Sequence, residues 1–308
     1  MNSPISSWLG KLANLNVART QKRGLAPHKP LMILSLIDLI EEGEYSDGWV
    51  PYDIRLVQRF RDYWSIVIER QRNTPDIPMP FNALGSTRDQ VWERFTKDGT
   101  PTSGKQTTRL CRIDSDLFQC LQDLEFRKQA RLRIIETYFL PNEKVSLYTR
   151  LHLPIPDTEE IQQFKKDREA YRTSRKRGRA SGFKSEVLSG YQFTCLLTGY
   201  RLETCEHTLV QAAHIHQHAK GGSDDPRNGL ALTPDAHWMF DRGLWTAEPK
   251  GDRFLVKVDP CFDHRNLSYG RWLSRQHGQP LRFPEHSKLR PDPKFFEWHW
   301  RHVFGREQ

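Results

Sequence analysis

Cysteine is scarce, and the five present, at 111, 120, 195, 205 and 261, form no C-x-x-C pair. Neither a ribbon-type zinc site nor a disulfide framework is therefore expected, and a reducing cytoplasm suits the chain. Long apolar runs are missing too. The longest, Leu31 to Ile40, contains Asp38 and falls far short of the ~20 residues of a membrane span. The opening MNSPISSWLGKLANL is amphipathic without a signal-type apolar stretch, so no membrane association is expected. Acidic residues are the minority: 47 basic residues face 38 acidic ones, a net charge of +9. Such an excess suits a polyanionic partner, although charge alone does not separate nucleic-acid binders from other basic proteins.

The 308 residues suffice for two domains of ordinary size. In order, Ser3 can cap a first helix whose apolar residues Ile5, Trp8, Leu9, Leu12 and Leu15 recur at helical spacing. A second helix enters through Pro30 and continues as LMILSLIDLI, apolar on nearly every side, which marks it as the central core helix. Asp53 to Arg70 reads as a third, with Ile54, Val57, Phe60, Trp64 and Val67 on one face. The proline-rich RNTPDIPMPFNALG is expected to be an ordered loop, Val91 to Thr96 a short strand, and Ser115–Leu124 and Arg127–Phe139 two further helices. Residues 1–153 thus read as a mostly helical domain. Residues 154–181, ending in SRKRGRASG, read as a basic helical linker, either a solvated connector or a strip that touches phosphates. From Phe183 a new helix, FKSEVLSGY, opens a third segment, 182–308, which holds ten of the twelve histidines. That enrichment is what a domain handling metal or phosphate would produce.

Within it, His214 in AAHI, Asn228 in RNGLAL and His237 in DAHWMFDRG lie 14 and then 9 positions apart, with strand-type residues before the first and helix-compatible residues around the last. A hairpin feeding a short helix is predicted, and on that helix His237 and Asp241, four apart, share one face and could hold one divalent ion. Trp238, Phe240 and Trp245 read as core of the same unit, and Gly243 as the helix cap.

AAHI, a Gly-Gly turn, NGLAL and H-x-x-FDRG, in this order over about 35 residues, resemble the HNH nucleases, specifically the McrA-like branch. The resemblance implies an α+β chain with a C-terminal ββα-metal domain and flanking helices. It implies a metal-dependent endodeoxyribonuclease acting on double-stranded DNA, with His214 as general base and Asn228 bracing the loop and the His214 backbone. It also implies His237 and Asp241 as ligands of a divalent ion such as Mg2+ or Mn2+, and a homodimer for double-strand cleavage. Many relatives carry a ligand just before the base, where this chain has Ala213. The remaining ligands are then water, phosphate oxygens or a side chain such as Gln211, His216 or His218.

A second resemblance covers about residues 5 to 150. APHKPLMILSLIDLIEEGE, followed by PMPFNALGS and VWER, is similar to the sulfur-binding domain at the front of nucleases that cut phosphorothioated DNA. It implies an apolar dimple of Pro80 and Ala83 with Met79 at its lip, beside a phosphate held by His28 and Lys29. The combined expectation is a modification-dependent, type IV restriction-like endonuclease. The alternatives are a reader of methylated bases or another mark on the same nuclease, and a non-cleaving DNA-binding protein.

Overall fold

Residues 4–20, 24–71, 75–260, 268–287 and 289–305 are described by a computed structural model, and Ser3 and Cys261 lie outside them. Contacts divide the chain into two units, 1–181 and 182–308. The first is built from α1 (Pro4–Ala13), β1 (Arg19–Thr20), β2 (Gly24–Leu25), α2 (His28–Glu41), β3 (Trp49–Pro51), α3 (Ile54–Gln71), α4 (Pro78–Ala83), β4 (Trp92–Phe95), β5 (Leu110–Ile113), α5 (Ser115–Gln122), α6 (Leu124–Tyr138), α7 (Pro141–Arg150), α8 (Glu159–Lys165) and most of α9 (Arg168–Gly190). The unit is mostly helical but also holds an antiparallel sheet in the order β3-β5-β4, with Cys111 central between Val50 and Arg94.

Every residue of α2 from Lys29 to Ile40 is buried, as expected of a helix that is apolar all round, and α3, α4, α5 and α6 pack against it. Its one acidic residue in that run, Asp38, is a hub. Arg59 and Arg131 donate to its carboxylate at 3.1 and 2.8 Å, Tyr63 donates at 2.8 Å, and Arg150 lies over the Tyr63 ring. Burial alone would raise the Asp38 carboxyl, but Arg59, Arg131 and Arg150 outweigh it and hold it below the usual carboxylate range.

Two expectations of local structure are corrected. The stretch PMPFNA, expected as loop, is the short helix α4, with Pro78 in its first turn. First-turn amides have no partner within the helix, so Pro78 and Pro80 lose no bond there. The helix expected to start afresh at Phe183 is instead the end of α9, which runs unbroken from Arg168. Gly178 does not break it, because tertiary contact requires glycine there: a Cβ would sit 2.3 Å from the Ser146 carbonyl oxygen. Ser146 also donates to the Ser174 carbonyl at 2.8 Å, and Lys144 pairs with Glu160. Through these contacts α8 and the first part of α9 pack on α7 as part of the first unit.

The second unit holds the end of α9, β6 (Gln211–His214), β7 (Gly229–Leu232), α10 (Pro234–Asp241), β8 (Trp245–Lys250), β9 (Arg253–Val258), α11 (Ser268–Arg275) and α12 (Pro293–His302). Strands β6 and β7 form an antiparallel hairpin with His214 opposite Gly229, and α10 packs across both. A second hairpin, β8–β9, follows, and α12 packs on β8. Phe240 and Trp245 are fully buried, whereas Trp238, expected in the core, is 55% exposed. It faces out because a helix as short as α10 has one buried stripe, which Ala236, Met239 and Phe240 occupy. Gly243 has a left-handed φ of 70°, and a Cβ would meet the Val303 carbonyl oxygen at 2.2 Å.

His299 on α12 completes this core at 0% exposure, stacked on Phe240 with ring centroids 3.8 Å apart. Its Nε2 lies 3.0 Å from the Phe240 carbonyl, an acceptor only, so Nε2 carries the proton and donates it there. Nδ1 then accepts from the Thr246 hydroxyl at 3.0 Å. Burial lowers the imidazole pKa to about 4, which keeps the ring neutral.

Candidate active site

The hairpin sets the position of each functional group. His214 ends β6, and the chain then makes a loop back to β7 that contains two single 3-10 turns, at His218–Lys220 and Pro226–Asn228. Asn228, fully buried, braces this loop from inside. Its side chain donates to the carbonyls of His216 and Ser223 at 3.0 and 2.8 Å and accepts from the His216 amide at 2.8 Å. Its own carbonyl accepts from the Ile215 amide at 2.8 Å. The Asn228 side chain thus reaches His216 rather than His214, and the adjacent pair is held through the main chain. Gly222 is required in the loop, since a Cβ would lie 1.8 Å from the His216 carbonyl oxygen.

The His214 ring lies flat on Phe183, with centroids 3.8 Å apart and planes 6° from parallel. Its Nε2 is 3.1 Å from the Asp224 carboxylate. A carboxylate only accepts, so Nε2 carries the hydrogen and Nδ1 is left as the proton-accepting nitrogen. Burial lowers the His214 pKa, and the nearby His218 and His237 act in the same direction. Asp224 opposes them without reversing the sign. The ring is therefore neutral near pH 7 and able to take a proton. Asp224 was not singled out in the sequence. Its signal was a carboxylate just after the Gly-Gly turn, but only the fold of that loop returns it to His214.

On α10, His237 and Asp241 do meet: Nε2 and the carboxylate oxygen are 3.3 Å apart. Nδ1 of His237 is 3.2 Å from Gln211 Oε1, an acceptor, so the hydrogen sits on Nδ1 and the Nε2 lone pair faces Asp241. A divalent ion placed between these two electron-pair donors could bind both. Ligand atoms about 2.0–2.1 Å from one divalent ion are roughly 2.8–3.4 Å apart, from octahedral to tetrahedral angles, and the 3.3 Å pair falls within that range. No group of three or more His, Cys, Asp or Glu side chains converges to hold a metal among the described residues. A divalent ion would thus take two protein ligands here and complete its shell with water or substrate oxygens.

The other candidates divide. Gln211 holds His237 in place, as above. His216 is stacked on Trp298, with centroids 3.9 Å apart, and its Nε2 is 3.2 Å from the Lys220 carbonyl. His218 is exposed, 3.8 Å from Asp224.

In the first unit, Met79 is 39% exposed on α4, Pro80 is buried and Ala83 half-buried. His28 is half-buried against Trp64, its Nδ1 buried without a hydrogen-bond partner among the described residues, and burial lowers its pKa while Asp76 pulls the other way. Lys29 requires a correction. Expected to hold a phosphate, it is only 8% exposed, and its ammonium donates to Asp89 at 2.5 Å and to the Asn16 carbonyl at 2.6 Å. A lysine at the start of a helix that is buried on all sides is drawn into the fold with its counter-ion.

No helix among the described residues is long and apolar enough to cross a membrane. No curated protein matches the chain. Residues 195–247, which contain the hairpin, the Asn228-braced loop, the His214–Asp224 pair and all of α10, match the family model of the HNH endonucleases, so the chain carries an HNH nuclease domain.

Proposed function

We propose that the protein is a metal-dependent DNA endonuclease whose N-terminal unit directs it to modified DNA. The observation that supports this reading best is the pairing of a neutral, carboxylate-oriented imidazole, His214–Asp224, with the two-ligand set His237–Asp241 on the adjacent helix. A divalent ion on His237 and Asp241 would polarise the phosphate and offset charge on the leaving oxygen. His214 Nδ1 takes a proton from water as the water oxygen forms its bond to phosphorus. The P–O bond to the leaving sugar oxygen breaks, and that oxygen gains a proton from solvent. Asp224 holds the ring in the tautomer that leaves Nδ1 free, and Phe183 fixes its plane. Cutting both strands of a duplex calls for two such sites, hence two protomers. Supercoiled plasmid incubated with Mg2+ or Mn2+ should be nicked by the wild type. His214→Ala should retain DNA affinity within a few fold and lose at least a hundredfold in cleavage, since general-base help is worth roughly 10² to 10⁴. Binding without any cleavage by the wild type would favour a non-cleaving DNA-binding protein.

For recognition, we infer that α4 offers a phosphorothioate sulfur an apolar surface of Ala83 with Met79 at its edge, over the buried Pro80. Sulfur in place of a phosphate oxygen keeps the charge but is larger and poorly hydrated, so such a surface prefers it through contact and desolvation. His28, near the same helix, remains a candidate phosphate partner, and Lys29 drops out. Ala83→Asp should erase any difference in binding between phosphorothioate and ordinary duplexes of one sequence. An unchanged preference would transfer the reading function elsewhere, and a preference for methylated bases would replace sulfur as the mark.

A further inference from the structure

Helix α9 has two unlike faces. On one, Ser174, Gly178 and Ser181 are buried, small enough for the helix backbone to approach α7 closely. On another, Arg168, Arg172, Arg175 and Arg179 follow the i, i+4, i+7, i+11 spacing and form a stripe about 16 Å long at 1.5 Å per residue, with Lys176 beside it. All five are exposed and line one surface depression. None forms an ion pair with a carboxylate among the described residues, whereas Arg177, on the flank, pairs with Glu69. This arrangement works against the helix itself. Like charges three and four apart on a helix repel and destabilise it, and among the described residues that line the depression Glu169 is the one carboxylate to offset them.

Resting on the reading of this chain as a DNA nuclease, we propose that the α9 stripe is a phosphate-backbone clamp that seats duplex DNA independently of sequence and of modification. The favoured occupant is a polyanion with charges repeated along its length, because the arginines are spaced about one helical turn apart in a row. A single small anion would engage one or two of them. Contacts of this type add affinity and position the duplex without reading bases.

The test is a salt titration of binding by the full chain, in EDTA so that no cleavage occurs, with an unmodified duplex of about 20 base pairs as probe. Arg172→Gln, Arg175→Gln and Arg179→Gln together remove three contacts. The slope of log K against log salt should become shallower by about 2.7, so the ratio of wild-type to variant affinity should shrink roughly 40-fold between 50 and 200 mM salt. The corresponding triple lysine variant should keep the wild-type slope, and thermal unfolding of the glutamine variant should show no loss of stability, since repulsion has been removed. If the wild type binds and, given metal, nicks DNA but the slope of the glutamine variant is unchanged, the clamp is refuted and the nuclease reading stands. If the wild type does not bind duplex at all, both fall. Vesicles containing a third phosphatidylserine serve as a control polyanionic surface, and a variant effect on vesicle binding but not on DNA would also refute the clamp.

Discussion

Acidification from pH 7.5 to 4.5 should weaken the nuclease unit, with the fully buried ring of His299 as a main contributor. In the unfolded chain this imidazole takes up a proton below about 6.5, whereas in the folded protein burial keeps it neutral down to about 4. The unfolded state therefore binds more protons across this window. The contribution of His299 is fully present above pH 6.5 and is lost as the pH falls toward 4. The difference corresponds to about 3 kcal/mol in full and to about 2.5 kcal/mol at pH 4.5, a large part of the 5–15 kcal/mol typical of a domain. His299→Leu keeps an apolar side chain in the cavity but orphans the Phe240 carbonyl and the Thr246 hydroxyl. At neutral pH it should be less stable than the wild type by about 2–5 kcal/mol. Toward pH 4.5 the gap between the two should close by about 2.5 kcal/mol, because only the wild type loses the histidine term. Urea unfolding at a series of pH values, read by proteolysis and mass spectrometry of peptides from β8, β9 and α12, measures both proteins within the same unit. Other groups that titrate in this range, such as Glu143 in the first unit, cancel in the comparison. Stability curves that run parallel from pH 7.5 to 4.5 would refute the reasoning.

Three further outcomes follow from the same geometry. Asp224→Asn should lower kcat for DNA cleavage by about 10- to 100-fold with DNA affinity retained. It should also move the acid limb of the pH profile, already below 6.5 in the wild type, to still lower pH, because the Asp224 charge supports the protonated ring; an unmoved limb would remove Asp224 as the partner of the base. His237→Ala and Asp241→Ala should each weaken binding of Mn2+, measured calorimetrically, with cleavage partly restored at high metal concentration, and unaltered metal binding in both would exclude this pair as ligands. Asp38→Asn should destabilise the first unit by about 3–5 kcal/mol in urea unfolding, since Arg59, Arg131 and Arg150 would lose their common counter-ion, and a change below about 1 kcal/mol would show that Glu41 and Glu42 suffice.

How much could be read from the chain alone varies with the range of the interaction involved. Local periodicity and short motifs sufficed for α2, whose unbroken apolar run leaves no option but burial, and for α3, α5, β4 and the β6–β7–α10 succession, because these depend on neighbours within a few residues. The i, i+4 spacing of His237 and Asp241 belongs to the same class, since a single helical turn brings them together. The β8–β9 hairpin was also within reach, through the turn residues of PKGD followed by the alternating RFLVKV. What tertiary structure alone decided were the contacts between segments distant in sequence. Lys29 is consumed by Asp89, sixty residues away, so a cation that looked available for phosphate is buried with its own partner. Trp238 and Phe240 are equally aromatic, yet the single stripe of α10 that meets the hairpin admits one and leaves the other in solvent. The Asp224 carboxylate reaches His214 only because Asn228 and Gly222 fold the intervening loop back on itself, a closure that no spacing rule encodes. Residue pattern determines which faces must be buried and which turns can form. Which charges end as counter-ions, and which remain free to act on a substrate, is settled when those faces pack.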